Sequence, residues 1–468
     1  MNKQSKNHNM RIKKRFGLRA YSLFVTVAVV AAVILLNTVL GIFMSNHPIK
    51  LDLTKSQVFT LSERTNDTLK KLDSDINVYV LFSEDTLSTY YHVKDLLSEY
   101  ASKSKHITVS YRDPYADYDF VKDYTEKGLT LSDGTIVLEC GDKLRTLSVG
   151  QFYTEEYGSF FDLERMMTAS ITRITGEDGG KIYFISNHGE YYKPVAQYLE
   201  ENMLDYSILD LANLAANGKQ IPSDAELLIT VAPQYDYSEI ELAMIDAYLE
   251  KGGRAIFSYA YEYGAMPYSY SYLKSAWGLD ISHELIVEGN DSYKIQTPNQ
   301  SVMNIAKMQS HTLTASLISA NLSFVAPNAM PIKETDTNSY FATVTPLAKT
   351  SSSSYVSAKS AGPYSVASIS ETSGKNSSKV LLLTSPYSLV DITVNRADAL
   401  ANGDFLLNAI DYMTDKSSSM GIRAKDVSMT QMSMTQTQVN YVYYIIKLAL
   451  PLLIIILGII VCIYRRNK

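Results

Sequence analysis

Ala20 to Met44 is a stretch of 25 residues without a single charge, built mainly from Val, Ala, Leu and Ile. No other feature restricts the fold of the chain as strongly. As a helix it would reach roughly 37 Å, enough to cross a bilayer. A cleaved signal peptide shares the basic start, but its apolar region is only about 7 to 15 residues long and ends in an A-x-A-like site. Gly41-Ile42-Phe43-Met44-Ser45 offers no such site, so the sequence predicts an uncleaved anchor.

A second apolar run, Leu448 to Tyr464, extends backwards through Tyr441 and is interrupted only by Lys447, with Pro451 inside it. A lysine near one end of a span can snorkel to the interface, and Tyr441, Tyr443 and Tyr444 suit an aromatic belt at that level. Seven cations precede the first run, and Arg465, Arg466 and Lys468 follow the second. The positive-inside rule then predicts two transmembrane helices (20–44 and 441–464), both basic tails (1–19 and 465–468) in the cytoplasm, and an extracytoplasmic body between them.

That body, residues 45–440, holds all 49 acids and 32 of the 43 cations, a formal charge of −17. Such a surface repels nucleic acid, which is excluded as a partner. The two cysteines, Cys140 and Cys462, provide neither a disulfide framework nor a cysteine-based zinc site.

Within the body, hydrophobic periodicity predicts a mixed α/β fold in two parts. Residues 45–176 read as a small thioredoxin-like βαβαββ domain: strands at Ile76 to Phe82 and His106 to Tyr111, helices over Asp85 to Ser102 and Asp117 to Lys127, and a hairpin turning at Gly141-Asp142. The redox C-x-x-C is missing, so no thiol chemistry is expected. After a break at Gly176 to Gly180, residues 177–414 read as a doubly wound parallel-sheet domain. Its strands are Lys181 to Ser186, Glu226 to Val231, Arg254 to Ser258 and Lys379 to Thr384. Ser238 and Glu241 form a capping box at the head of a helix that Gly252-Gly253 ends. Residues at about 260–378, rich in Tyr and Ser, read as an insertion with some β structure, and 415–440 as a polar stalk.

No phosphate-binding loop, H-E-x-x-H or G-x-S-x-G occurs in the chain, and no metal or cofactor is expected. The main polar constellation is Ser186-Asn187-His188-Gly189-Glu190, directly after a predicted buried strand. Ligands of open α/β sheets sit outside the carboxyl ends of strands, which places His188 and Glu190, with Asp391 and Asn395 after the last strand, at a site-like edge. They can act there as ligand or acid–base groups, or they can order the loop through hydrogen bonds. Without an accompanying nucleophile, loop ordering is the expectation. Tyr259, Tyr261, Tyr263, Tyr268, Tyr270 and Tyr272 alternate with other residues, which on a strand would give one aromatic face able to stack sugars or peptides, or simply to pack.

Several landmarks occur in order: Leu51-Asp52-Leu53-Thr54 with Phe59-Thr60-Leu61-Ser62, Val93-Lys94-Asp95-Leu96-Leu97, Tyr111-Arg112-Asp113-Pro114, His188-Gly189-Glu190, Ser238 to Arg254, and Asn402 to Ala409. This series resembles the gliding-motility-type (GldG-like) ABC-transporter auxiliary proteins. The resemblance implies a domain with an intraflagellar-transport-like fold and no established enzymatic activity. It also implies a role as accessory subunit to an ABC permease, contacted through the two helices, and indirectly to its ATPase. A cell-envelope polymer is a further expected partner of such a body. The family tends to have Gly before His-Gly-Glu, where this chain has Asn187. A cell-surface enzyme acting on wall polymers through His188, Glu190 and Asp391, and a stand-alone receptor or adhesin, are the competing readings.

Overall fold

The computed structural model describes residues 57–154, 159–176, 180–202, 204–295, 303–357, 360–374, 376–389, 400–416 and 421–427, with position 52 and six helical positions (24, 31, 34, 35, 38 and 39) in the first apolar run. Among the described residues no helix is long and apolar enough to cross a membrane. The rest of that run, the second run, both basic tails and residues 428–440 lie outside the described residues. The chain divides at Gln57/Val58 into two units, and the elements below all belong to the second.

Ser62 starts the body as an N-cap, its hydroxyl accepting from Thr65 N at the head of the helix Glu63–Lys71. Strands β1 (Ile76–Leu81), β2 (Ile107–Arg112), β3 (Thr135–Cys140) and β4 (Lys143–Ser148) form a sheet in the order β2-β1-β3-β4. β1 and β2 run parallel, with Ile76 opposite Ile107, and β3 and β4 are antiparallel additions. Period-2 alternation sends Val78, Val80, Ile136 and Leu138 into the main core of this part, while Leu81 and Val137 meet Tyr124 on the other face. The single helix predicted over Asp85 to Ser102 is two, Glu84–Thr89 and Tyr91–Lys103. The break falls at Tyr90, whose ring meets Tyr153 edge-on at 5.1 Å.

Short strands β5 (Tyr153–Thr154) and β6 (Phe160–Phe161) lead into the helix Leu163–Thr175, which is buried along most of its length. The second sheet then begins with β7 (Lys181–Ser186), β8 (Tyr206–Asp210), β9 (Ala225–Val231) and β10 (Arg254–Ser258). With Lys379–Leu383 these make five parallel strands in the order Lys379–Leu383, β10, β9, β7, β8. Alternate residues feed two cores. Ile182, Phe184, Ile256 and Leu381 pack with the helices Lys193–Glu201 and Asn402–Met413. Tyr183, Ile185, Phe257 and Leu382 pack with Glu239–Leu249 and Pro267–Trp277. Both faces are therefore covered, as a parallel sheet requires.

Three expectations need correction. Residues 260–378, expected as an insertion with some β structure, supply strands of the second sheet itself: Ser365–Glu371, Thr343–Lys349, Met303–Met308 and Lys294–Ile295 continue it antiparallel beyond Lys379–Leu383. Their polarity disguised them: Ser368 and Ser370 are fully buried, and their hydroxyls donate to Glu334 Oε1 and Trp277 O, each at 2.7 Å.

Nor does a stalk begin at residue 415. Asp415 pairs with Lys379 and Arg254, Lys416 pairs with Glu226 at 2.6 Å, and Lys425–Asp426 adds a strand to β6. Finally, the boundary expected at 176/177 separates hydrophobic cores without separating two bodies. Arg145 reaches Asp205 at 2.5 Å, and Lys425 Nζ reaches both Glu164 Oε2 and Thr60 O at 2.6 Å.

Candidate functional site

The loop after β7 turns sharply, with Asn187 at φ 81° and Gly189 at φ 77°. A Cβ on Gly189 would come within 3.0 Å of three side-chain carbons of Gln234, so this position needs glycine for both its dihedral and its space. The turn is anchored to the loop after β9. His188 O accepts from Gln234 N at 2.8 Å and Tyr235 N at 3.1 Å, and Tyr191 N donates to Val231 O at 2.7 Å.

These bonds fold the His188 ring inward, against Tyr237 with centroids 4.4 Å apart. Its Nδ1 lies 3.3 Å from Glu190 Oε1, and its Nε2 lies 3.0 Å from Glu241 Oε1. Both are ion-pair contacts without hydrogen-bond alignment. The side chains of His188, Glu190 and Glu241 are 8%, 1% and 6% exposed, so the charges face one another with little solvent between them. Burial by itself would depress the imidazole pKa. The two carboxylates outweigh it and hold the group above its ordinary value of 6.5.

The other carboxylate oxygens are engaged. Glu190 Oε2 accepts from His188 N at 2.8 Å, and Tyr237 OH donates to Glu190 Oε1 at 3.3 Å while meeting Thr230 Oγ1 at 2.5 Å. Glu241 Oε2 accepts from Ser238 N and Oγ at 2.8 and 2.7 Å. Glu241 thus completes the predicted capping box with one oxygen and faces the imidazole with the other. Chemically this is a buried imidazole held between two carboxylates that favour its protonated form, fastening the ends of β7 and β9 to the head of the helix Glu239–Leu249. Among the described residues no group of three or more His, Cys, Asp and Glu side chains is arranged to hold a metal ion.

Sequence reasoning placed His188 and Glu190 at this edge but missed Glu241, Tyr237 and Thr230. The capping-box spacing identified Glu241; nothing local showed where its second oxygen points. Asp391 and Asn395 lie outside the described residues.

The six tyrosines do not form one strand face. Tyr259 is buried just after β10, Tyr261 and Tyr263 sit in a 3-10 turn, and Tyr268, Tyr270 and Tyr272 lie on the helix Pro267–Trp277. Pro267 at the first turn starts a helix, and residues two apart on a helix diverge by roughly 200°. Tyr270 accordingly packs edge-on against Tyr259 at 5.3 Å, and Tyr268 is exposed. Tyr272 OH donates to Asp246 Oδ1 at 2.9 Å and accepts from Trp277 Nε1 at 3.1 Å.

Tyr191 and Tyr235, which were not anticipated, are exposed on the loops flanking His188. Burial, then the nearby Glu262, Tyr263 and Tyr191, pushes Tyr387 up to about 12. A pair such as Gly189-Glu190-Tyr191 and Gln234-Tyr235, each just past a strand end, was the available signal.

Residues 55–139 match a family described as Domain of unknown function (DUF7088), which here spans the first sheet through β3. No curated protein matches the chain. Among solved structures, the mmIFT52 N-terminal domain is a distant neighbour at 15% identity and a TM-score of 0.39, covering 50% of this chain and 97% of that one. Exo-beta-1,4-mannosidase Op5Man5 from Opitutaceae bacterium strain TAV5 aligns at 11% identity and a TM-score of 0.25, covering 74% of this chain and 51% of that one. Likenesses this distant assign no activity, and membership of the GldG-like family is not established by them.

Proposed function

We propose that the chain is a two-span, non-enzymatic accessory subunit of an ABC transport system in the cell membrane. Both termini are cytoplasmic and the body is extracytoplasmic. The first sheet is read as thioredoxin-like and the five parallel strands as the core of a doubly wound domain. The two membrane helices contact the permease, and the ATPase is reached through it.

The observation that carries this reading is the pair of charge-free runs with basic flanks, together with the junction at Glu164. Glu164 Oε1 accepts from Ser62 N at 2.6 Å and Thr65 Oγ1 at 2.8 Å, and Oε2 pairs with Lys425. The segments leading from the first run and towards the second are held together on one buried carboxylate. A body clasped in this way suits coupling to two adjacent spans. The His188 cluster favours a non-enzymatic role, since its carboxylates are committed to the loop and the imidazole. Exposed Tyr191, Tyr235 and Tyr268 favour contact with a cell-envelope polymer, whose sugar faces stack on such rings.

The test is purification of the full chain in mild detergent with identification of what accompanies it. An ABC permease is expected. Purification without one, together with hydrolysis of a wall polymer that depends on His188, would replace this reading with the surface-enzyme alternative.

A further inference from the structure

A cavity of about 760 Å³ lies at the end of the second sheet opposite His188, where β7, β8 and β9 begin. Its other wall is β4 and the last turn of the helix Leu163–Thr175, so it is a cleft between the two sheets. Its charge runs against that of the body around it. The body is strongly acidic, yet among the described residues five cations line the cleft (Lys143, Arg145, Arg173, Lys181 and Lys416) with two carboxylates, Asp205 and Glu226, while Asp224 and Asp411 pair with Lys181 and Arg173 from just outside the lining.

Arg173 is the most buried of the five. Its side chain is 16% exposed, its Nη1 is buried without a hydrogen-bond partner, and its carboxylate neighbour Asp411 stands 4.0 Å from Nη2. Burial pulls this guanidinium below its ordinary pKa; Asp411 opposes that, while Arg145 and Arg165 add to it. A buried cation beside other cations is costly unless an anion joins it.

We propose that this cleft binds a phosphate group, drawn in by Arg145, Arg173, Lys181 and Lys416. The choice of anion follows from the arrangement. Cations converge from β4, the helix Leu163–Thr175, the start of β7 and the segment after Asn402–Met413. A tetrahedral dianion takes donors from several directions, whereas a carboxylate is matched by one planar fork. The volume suits a phosphorylated small molecule, a dianion with three free oxygens, or a lipid headgroup, a monoanionic diester with two, and both present phosphoryl oxygens to the same donors. Lys181 and Lys416 are now paired with Asp224 and Glu226, contacts that an incoming phosphate would share or exchange.

The test is titration calorimetry of the full chain in a neutral detergent at low salt, with inorganic phosphate as the probe. One saturable site is expected. It should weaken at least about tenfold in Arg145→Gln and in the double variant Lys181→Gln with Lys416→Gln, as expected for lost charge-assisted contacts. If Arg145→Gln fails to fold, the double variant decides, because Lys181 and Lys416 lie at the mouth, 58% and 36% exposed. Absence of saturable binding, or unchanged affinity in a folded variant, overturns the proposal. Repeating the titration in phosphatidylglycerol and phosphatidylcholine nanodiscs separates the sources. Loss of phosphate binding in phosphatidylglycerol alone identifies an anionic headgroup, loss in both lipids identifies a phosphodiester headgroup of either kind, and persistence in both identifies a soluble phosphate.

Discussion

Replacing His188 with alanine should destabilise the body and remove one pH dependence, with the lost ring contact on Tyr237 adding to the electrostatic effect. The substitution deletes the imidazole between Glu190 and Glu241, whose protonated form pairs with both, leaving two carboxylates that are 1% and 6% exposed facing each other. Removing one partner of a buried ion pair costs about 3–5 kcal/mol. At about 2 °C per kcal/mol for a large domain, the melting temperature should drop by roughly 6–10 °C. The pH profile supplies a second readout. The folded-state pKa of His188 is raised, so the stability it adds is fully present below about 6.5 and is lost as pH rises through the higher folded value. Wild type should therefore lose melting temperature on going from about pH 6 to above neutrality, and His188→Ala should lose less over the same window. Thermal melting of the purified chain across that range measures both. A variant that melts with wild type and keeps its pH slope refutes the electrostatic account. The double variant His188→Ala with Glu190→Ala, if it kept its melting curve yet abolished transport, would make the loop a ligand or catalytic site.

Gly189→Ala should lower stability by about 1–2 kcal/mol, because the left-handed dihedral and the contact with Gln234 both oppose a Cβ; chemical denaturation reads this directly. Lys425→Met should cost about 3 kcal/mol by leaving Glu164, 2% exposed, without its cation, and limited proteolysis should then cut earlier near residues 421–427. An engineered cysteine at position 3 or 467 should resist an impermeant thiol reagent in intact cells, and labelling from outside at either position would contradict the proposed topology.

Some of this was legible in the sequence and some was not. β7, β9 and β10 stood out because short apolar runs bounded by polar turns leave few alternatives, and the Gly141-Asp142 turn marked the β3–β4 hairpin. The Ser238–Glu241 box was visible because it closes over three residues. The contact of Glu241 with His188 joins positions far apart in the chain and left no local trace. The antiparallel half of the second sheet was hidden by its buried serines, which hydropathy counts as surface. The tyrosine alternation misled because Pro267 starts a helix where a period of two had suggested a strand.

Contact with a permease through the membrane helices is the central claim, and exchanging those helices tests it most directly. Both apolar runs would be replaced by unrelated transmembrane segments of equal length, leaving residues 45–440 and the basic flanks unchanged. Proteins bound to the wild-type and exchanged chains would then be compared after cross-linking in intact membranes. The account predicts that permease and ATPase are both captured by wild type and are lost together from the exchanged chain, while the body keeps its melting temperature. Capture of the ATPase by the exchanged chain with no permease present would contradict it.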